Sequence, residues 1–222
     1  MARALSRIAV VIAGLTLVGA APPAQRDTGT IRGRVLVATV PRAGGRPAIG
    51  DLSAPANDPI DRRHCVVYLE SAPREAFGQL HASRVRMDQR NEQFVPHLLA
   101  ITVGTIVDFP NSDTTFHNVF SLARGNAFDL GRYPPGRTGG HKFDTPGIVP
   151  VSCDIHSHMS AYILVFSHPF FAVTDDDGKY SIGSVPPGTY TLVVWSELGR
   201  AEPKKVTVID GETADVDFRI TR

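Results

Sequence analysis

The sequence predicts an all-β protein made of two small β-sandwiches. Twenty glycines and seventeen prolines punctuate its 222 residues, too often for long helices. Between them recur short runs rich in Val, Ile, Thr and aromatics, the composition of strands. Near the C-terminus the pattern is strictly alternating: Val216, Phe218 and Ile220 fall on one face and Asp215, Asp217 and Arg219 on the other.

Taken in order, Gly29 to Val40 reads as a strand, residues 41–61 as a Pro- and Gly-rich loop, and Cys65-Val-Val-Tyr-Leu-Glu70 as a buried strand. Residues 71–83 are polar, with a short helix expected around Glu75 to Leu80. Leu98 to Val103 and Ile106 to Phe109 are expected to pair about a tight Gly104-Thr105 turn. His117 to Ser121 is a further strand, and residues 122–142 read as a long loop turning at Pro134-Pro135-Gly136. Ile148 to Ser152 and Ala161 to Phe166 complete this stretch. Then come Lys179 to Ile182, Thr189 to Trp195, Lys205 to Ile209 and Asp215 to Ile220, separated by turns at Pro186-Pro187-Gly188 and Asp210-Gly211-Glu212. The acidic run Thr174-Asp-Asp-Asp-Gly178 lacks the alternating acids of a calcium loop and reads as a polar hairpin turn.

The N-terminus has the layout of a secretory signal over residues 1–20. Arg3 and Arg7 precede the apolar run Ile8 to Ala20, which ends in small residues suited to cleavage. As a helix that run would span about 20 Å, short of a ~30 Å hydrocarbon core, so no membrane span is expected once it is removed. Removal takes away two arginines and no acids, leaving 21 basic and 22 acidic residues, a formal charge of −1. That balance argues against nucleic-acid and anionic-membrane partners. The expected location is periplasmic or secreted.

Cys65 and Cys153 are the two cysteines. Counting leaves a disulfide open, worth about 4–5 kcal/mol for so long a loop in the chain-entropy model. The neighbours of Cys153 point elsewhere. Val151-Ser-Cys153-Asp-Ile-His156-Ser-His-Met159 offers a thiolate, an imidazole and a thioether within seven residues, a donor set that suits a soft metal and copper most distinctively. A fourth ligand must come from elsewhere, and His117, in Asn111-Ser-Asp-Thr-Thr-Phe-His117-Asn118, is placed to supply it. His158 also stands at a usable distance from Cys153, but a ligand there makes the adjoining Met159 hard to use, so His156 is preferred. A Cys–His nucleophile pair would need an acid partner and an oxyanion loop, and neither is evident. His97, after Pro96 at a strand entry, could approach a site but is read as a surface or structural residue, and His64, His81, His141 and His168 show no mutual spacing that suggests a second metal.

Phe94-Val-Pro96, Ile101-Thr-Val-Gly104, Val107-Asp-Phe109, His117-Asn118, Pro146-Gly147 and the Cys153, His156, Met159 spacing occur in one order. In that order residues 84–168 resemble a cupredoxin, a Greek-key β-sandwich of the plastocyanin and amicyanin type. The resemblance implies one type 1 copper ion held by His117, Cys153, His156 and Met159, with Asn118 bonding across to the ligand loop. It also implies single-electron transfer rather than catalysis, with a c-type cytochrome or periplasmic dehydrogenase as redox partner. A copper-binding, storage or adhesion-type protein without redox turnover is the alternative. Amicyanin-like loops place prolines around the ligand histidine, whereas Ile155 and Ser157 stand here.

Phe171 to Ile182 and Val185-Pro-Pro-Gly-Thr-Tyr-Thr-Leu192 resemble the carboxypeptidase regulatory-like domain, a transthyretin-like β-sandwich. Gly29-Thr-Ile-Arg-Gly-Arg-Val35 and Val66-Val-Tyr-Leu69 fit the first strands of that family. The resemblance therefore implies a discontinuous sandwich, 29–70 plus 171–222, with the cupredoxin stretch inserted in it.

Overall fold

The computed structural model describes residues 28–37, 63–72, 80 and 83–221. The expected signal segment, the 41–61 loop and the short helix near Glu75 lie outside those residues, apart from Leu80. Every regular element among the described residues is a strand: β1 (Gly29–Val37), β2 (Val66–Leu69), β3 (Arg84–Arg86), β4 (Asp88–Arg90), β5 (Gln93–Val95), β6 (Leu98–Thr102), β7 (Thr105–Pro110), β8 (His117–Ser121), β9 (Phe128–Tyr133), β10 (Thr138–Phe143), β11 (Gly147–Ser152), β12 (Ser160–Phe166), β13 (Phe171–Val173), β14 (Lys179–Val185), β15 (Gly188–Trp195), β16 (Lys204–Val208), β17 (Thr213–Asp215) and β18 (Phe218–Ile220). No described helix is long and apolar enough to cross a membrane.

The sheets stack in layers. One outer sheet is β14-β1-β17, with β18 also on β1, and it faces the sheet β13-β2-β15-β16. Between them lies a core of Ile31, Val35, Cys65, Leu69, Ile182, Leu192, Phe218 and Ile220 among others. The five-stranded sheet β6-β12-β11-β8-β9 faces β10-β7-β3 across a second core that contains Met87, Phe94, Phe109, Phe143, Cys153, Met159 and Ile163. Strand β1, distant in sequence, pairs antiparallel with β14 and parallel with β17 and β18. Likewise β2 pairs antiparallel with β13 and β15.

A third, smaller core joins the two pairs of sheets: Val66, Leu98 and Leu164, ringed by Tyr68, Tyr162, Phe166, Phe171 and Trp195. Because successive strand residues point to opposite faces, β2 sends Val67 and Leu69 to one core and Val66 to another. In the same way β12 sends Ala161, Ile163 and Val165 to the core of Cys153, and Leu164 to the junction. Strands buried on both faces read as continuous apolar runs, as β2 and β12 do. Burying each of the three aliphatic side chains at the junction contributes roughly 1.5–3 kcal/mol. A part-buried polar contact reinforces it, His97 Nε2 lying 2.7 Å from Glu197 Oε2.

Two local expectations are corrected. Strands β6 and β7 do not form a hairpin: β6 runs parallel to β12, while β7 pairs with β10 and β3. Gly104, at φ 85°, carries the chain from one sheet to the facing one, a change of layer that local sequence cannot distinguish from a hairpin turn. Residues 122–142 hold two strands, β9 and β10, rather than one long loop. Their polar, Gly-rich sequences are strands because β8 and β7 offer unpaired edges for them to extend. The Asp175–Gly178 segment is a turn, Asp175 Oδ1 accepting the N–H groups of Asp177 and Lys179.

Candidate metal centre

His117 opens β8 and is fully buried. Cys153 follows β11 directly, 4 % exposed, and begins a tight loop that closes at Met159 just before β12. The loop is closed by two backbone bonds, Met159 N–H to the His156 carbonyl at 2.9 Å and Cys153 N–H to the Met159 carbonyl at 3.4 Å. Because β11 and β12 are hydrogen-bonded neighbours up to Ser152 and Ser160, the two ends of the loop are held by the sheet. The Ser152–Phe120 pairing brings β11 beside β8 and so sets Cys153 next to His117.

One donor atom each from His117, Cys153 and His156 lies within 4.8 Å of the other two. The two imidazoles face each other through Nδ1, 3.1 Å apart. Met159 is 1 % exposed and packs in the same core as Cys153. His158 points outward, its side chain 61 % exposed. Cys65 belongs to the other sandwich core, and both cysteines are free thiols. Burial pushes the Cys65 thiol up, away from thiolate character.

The surroundings fit a soft metal. The backbone N–H of Asn118 points at Cys153 Sγ at 3.5 Å, a donor that suits a thiolate. His117 places its outer nitrogen, Nε2, 3.0 Å from Asp113 Oδ2, which fixes the ring and leaves Nδ1 facing His156. Asp113 also accepts the N–H groups of Glu92 and Thr114. Those bonds, Glu92 first, together with His117 hold its carboxyl below the usual range against the opposing effect of burial. Tyr133, pushed up to about 12 chiefly by burial, donates to the Phe109 carbonyl and accepts from Gln89 beneath the site.

Asn118 departs from its expected role. Its side-chain Nδ2 donates to Asp129 Oδ1 at 2.7 Å on β9 instead of bridging to the ligand loop, and its buried Oδ1 has no hydrogen-bond partner. The link across to the loop is made by its main chain. His97 is committed to Glu197 at the junction. Sequence reading missed two participants, Asp113 and Glu92. Asp113, four residues before His117, was open to detection from spacing, whereas Glu92 comes from the β4–β5 turn, 61 residues before Cys153, with no local signal.

Residues 160–221 match the family model of the carboxypeptidase regulatory-like domain. That match begins at β12, which pairs with β11 and β6, and continues through β18. Among curated proteins none matches the chain. Solved structures to which it is similar include the copper-containing nitrite reductase of Thermus scotoductus SA-01, at 26% identity over 37% of this chain and 22% of that one, with a TM-score of 0.36. A purple cupredoxin from Nitrosopumilus maritimus is 22% identical over 37% of this chain and 99% of its own, TM-score 0.34. An oxidized proline-to-alanine mutant of amicyanin is 20% identical over 37% of this chain and 81% of its own, TM-score 0.35. The chain thus spans about a fifth of the nitrite reductase and most of the two small cupredoxins.

Proposed function

We propose that this chain is an exported electron-transfer protein carrying one type 1 copper ion, bound by His117, Cys153, His156 and Met159. The observation that carries the reading is the convergence of a buried thiol and two imidazoles, with donor atoms within 4.8 Å of one another, from one loop and a strand distant from it in sequence. A bound copper ion would supply a one-electron couple. The protein's own contribution is rigidity, since His117 is held through Asp113 and Cys153 through the Asn118 N–H. Such a donor set favours electron transfer over bond chemistry. The pairing of β1 and β2 with strands after residue 171 supports an inserted arrangement, with a copper-binding unit over 84–168 inside a discontinuous sandwich. The signal-like N-terminus supports export. The proposed partner is a one-electron redox protein such as a c-type cytochrome or periplasmic dehydrogenase.

The test is the visible spectrum of the purified chain after Cu(II) addition, followed by electrochemistry. An intense thiolate-to-copper band, lost in Cys153→Ser, retained in Cys65→Ser and displaced in Met159→Leu, is the expected result, with reversible one-electron reduction. Copper bound without reversible reduction would favour storage. Colourless protein, or Cys65 crosslinked to Cys153, would end the copper reading.

A further inference from the structure

The turn joining β4 and β5 holds two adjacent non-glycine residues in left-handed backbone, Asn91 at φ 52° and Glu92 at φ 53°. Asparagine tolerates this region and glutamate does so poorly, so contacts made by Glu92 have to offset the strain. Its N–H donates to Asp113 Oδ2 at 2.7 Å. Its carboxylate reaches the ligand loop, with Oε2 3.2 Å from His158 Nε2 and Oε1 3.7 Å from His156 Nε2. Asp113 meanwhile grips His117 through Nε2. Both imidazoles whose Nδ1 atoms face each other therefore have a carboxylate at the opposite nitrogen, and the Glu92 N–H ties those two carboxylates together.

We infer that Glu92 is a positioning residue, a strap that holds the Cys153–Met159 loop against β8 through His158 and His156. The inference rests on the copper reading for its purpose and on the contacts above for its geometry. The loop needs an outside anchor, because Ile155 and Ser157 flank His156 where a proline would stiffen it, and it makes few internal hydrogen bonds. A carboxylate next to a ligand imidazole also favours the more positive oxidation state of the metal. The Glu92 side chain is 45% exposed, so solvent moderates that effect.

Two variants test the strap, measured in the metal-free and the copper-loaded chain. Glu92→Gly removes the carboxylate and accepts the left-handed backbone without strain, so folding is not at risk. Glu92→Gln keeps the hydrogen-bonding shape without the charge. In the metal-free chain, hydrogen exchange of the Met159 N–H should speed up about tenfold in Glu92→Gly and stay near wild type in Glu92→Gln. In the copper-loaded chain both variants should favour the reduced state about tenfold, equivalent to about 59 mV for one electron. Loop exchange unchanged in Glu92→Gly, whatever the potential does, overturns the strap. Faster exchange in a chain that shows no copper band in any variant removes the copper reading and leaves the strap standing.

Discussion

Replacing Gly33 by alanine gives a direct measure of how tightly the outer sheet is closed. An added Cβ there would fall well inside contact distance of the Val216 carbonyl oxygen and 2.6 Å from its carbon, both backbone atoms that cannot rotate away. Ordinary close C–H···O contacts hold carbon and oxygen at about 3.3–3.6 Å, so β1 and the segment joining β17 to β18 must part by about 1 Å. Three hydrogen bonds tie β1 and its sheet neighbour β14 to that segment: Val216 N–H to the Arg32 carbonyl, Arg34 N–H to Asp217 Oδ1, and the Tyr180 hydroxyl to the Val216 carbonyl. At about 1 kcal/mol net each their loss costs about 3 kcal/mol. The alanine recovers about 0.4–1 kcal/mol by restricting the unfolded chain, leaving a net loss of about 2–3 kcal/mol. For a chain of this size that lowers Tm by about 4–12 °C. Thermal and urea unfolding read the change, and the copper band of the proposed reading, which belongs to the other core, should keep its position in the folded variant. A Tm within about 1 °C of wild type would refute the close approach of β1 to Val216.

Glu197→Ala leaves His97, 8 % exposed at the junction, without its partner, and should cost about 1–3 kcal/mol in urea unfolding, with Glu197→Gln losing less. Stability should also decline in mild acid. Burial holds His168 below the ordinary imidazole value, and His141, stacked on Phe128 at 4.2 Å, is lowered for the same reason. The unfolded chain therefore takes up protons first, so this contribution is intact above about pH 6.5 and is lost as pH falls from there toward the folded values. Urea midpoints at pH 7.5 and 5.5 should differ, and His168→Gln should narrow the gap. A higher midpoint at pH 5.5 in the wild type would contradict the sign.

Legibility differed from element to element for physical reasons. The alternation of Val216, Phe218 and Ile220 was readable because one face meets a core and the other meets water, but the single strand expected over 215–220 is broken at Val216 and Asp217 between β17 and β18. The 122–142 region was not, since β9 and β10 are polar strands whose place depends on partner edges that other segments provide. The turn at Gly104 was visible as a turn, but whether it returns a strand beside its neighbour or sends it to the facing sheet depends on what lies across the core. At the candidate centre, the closeness of Cys153 and His156 was legible because one tight loop holds both, and His117, which the structure brings to them, because its Asn-flanked strand has a recognisable setting.

The sequence by itself determined an all-strand chain and a thiol, imidazoles and a thioether suited to one soft metal. Those are properties of residue type and short spacing, which chain connectivity preserves. Only the tertiary structure decided that His117 and His156 meet through Nδ1, that Asp113 and Glu92 stand behind them, and that Cys65 lies in a separate core. It also decided that Asn118 reaches the loop with its backbone while its side chain turns to Asp129. The Glu92 carboxylate, from a distant turn, acts across space, and its placement depends on how the two sheets close on each other, a relation that no local pattern of residues encodes.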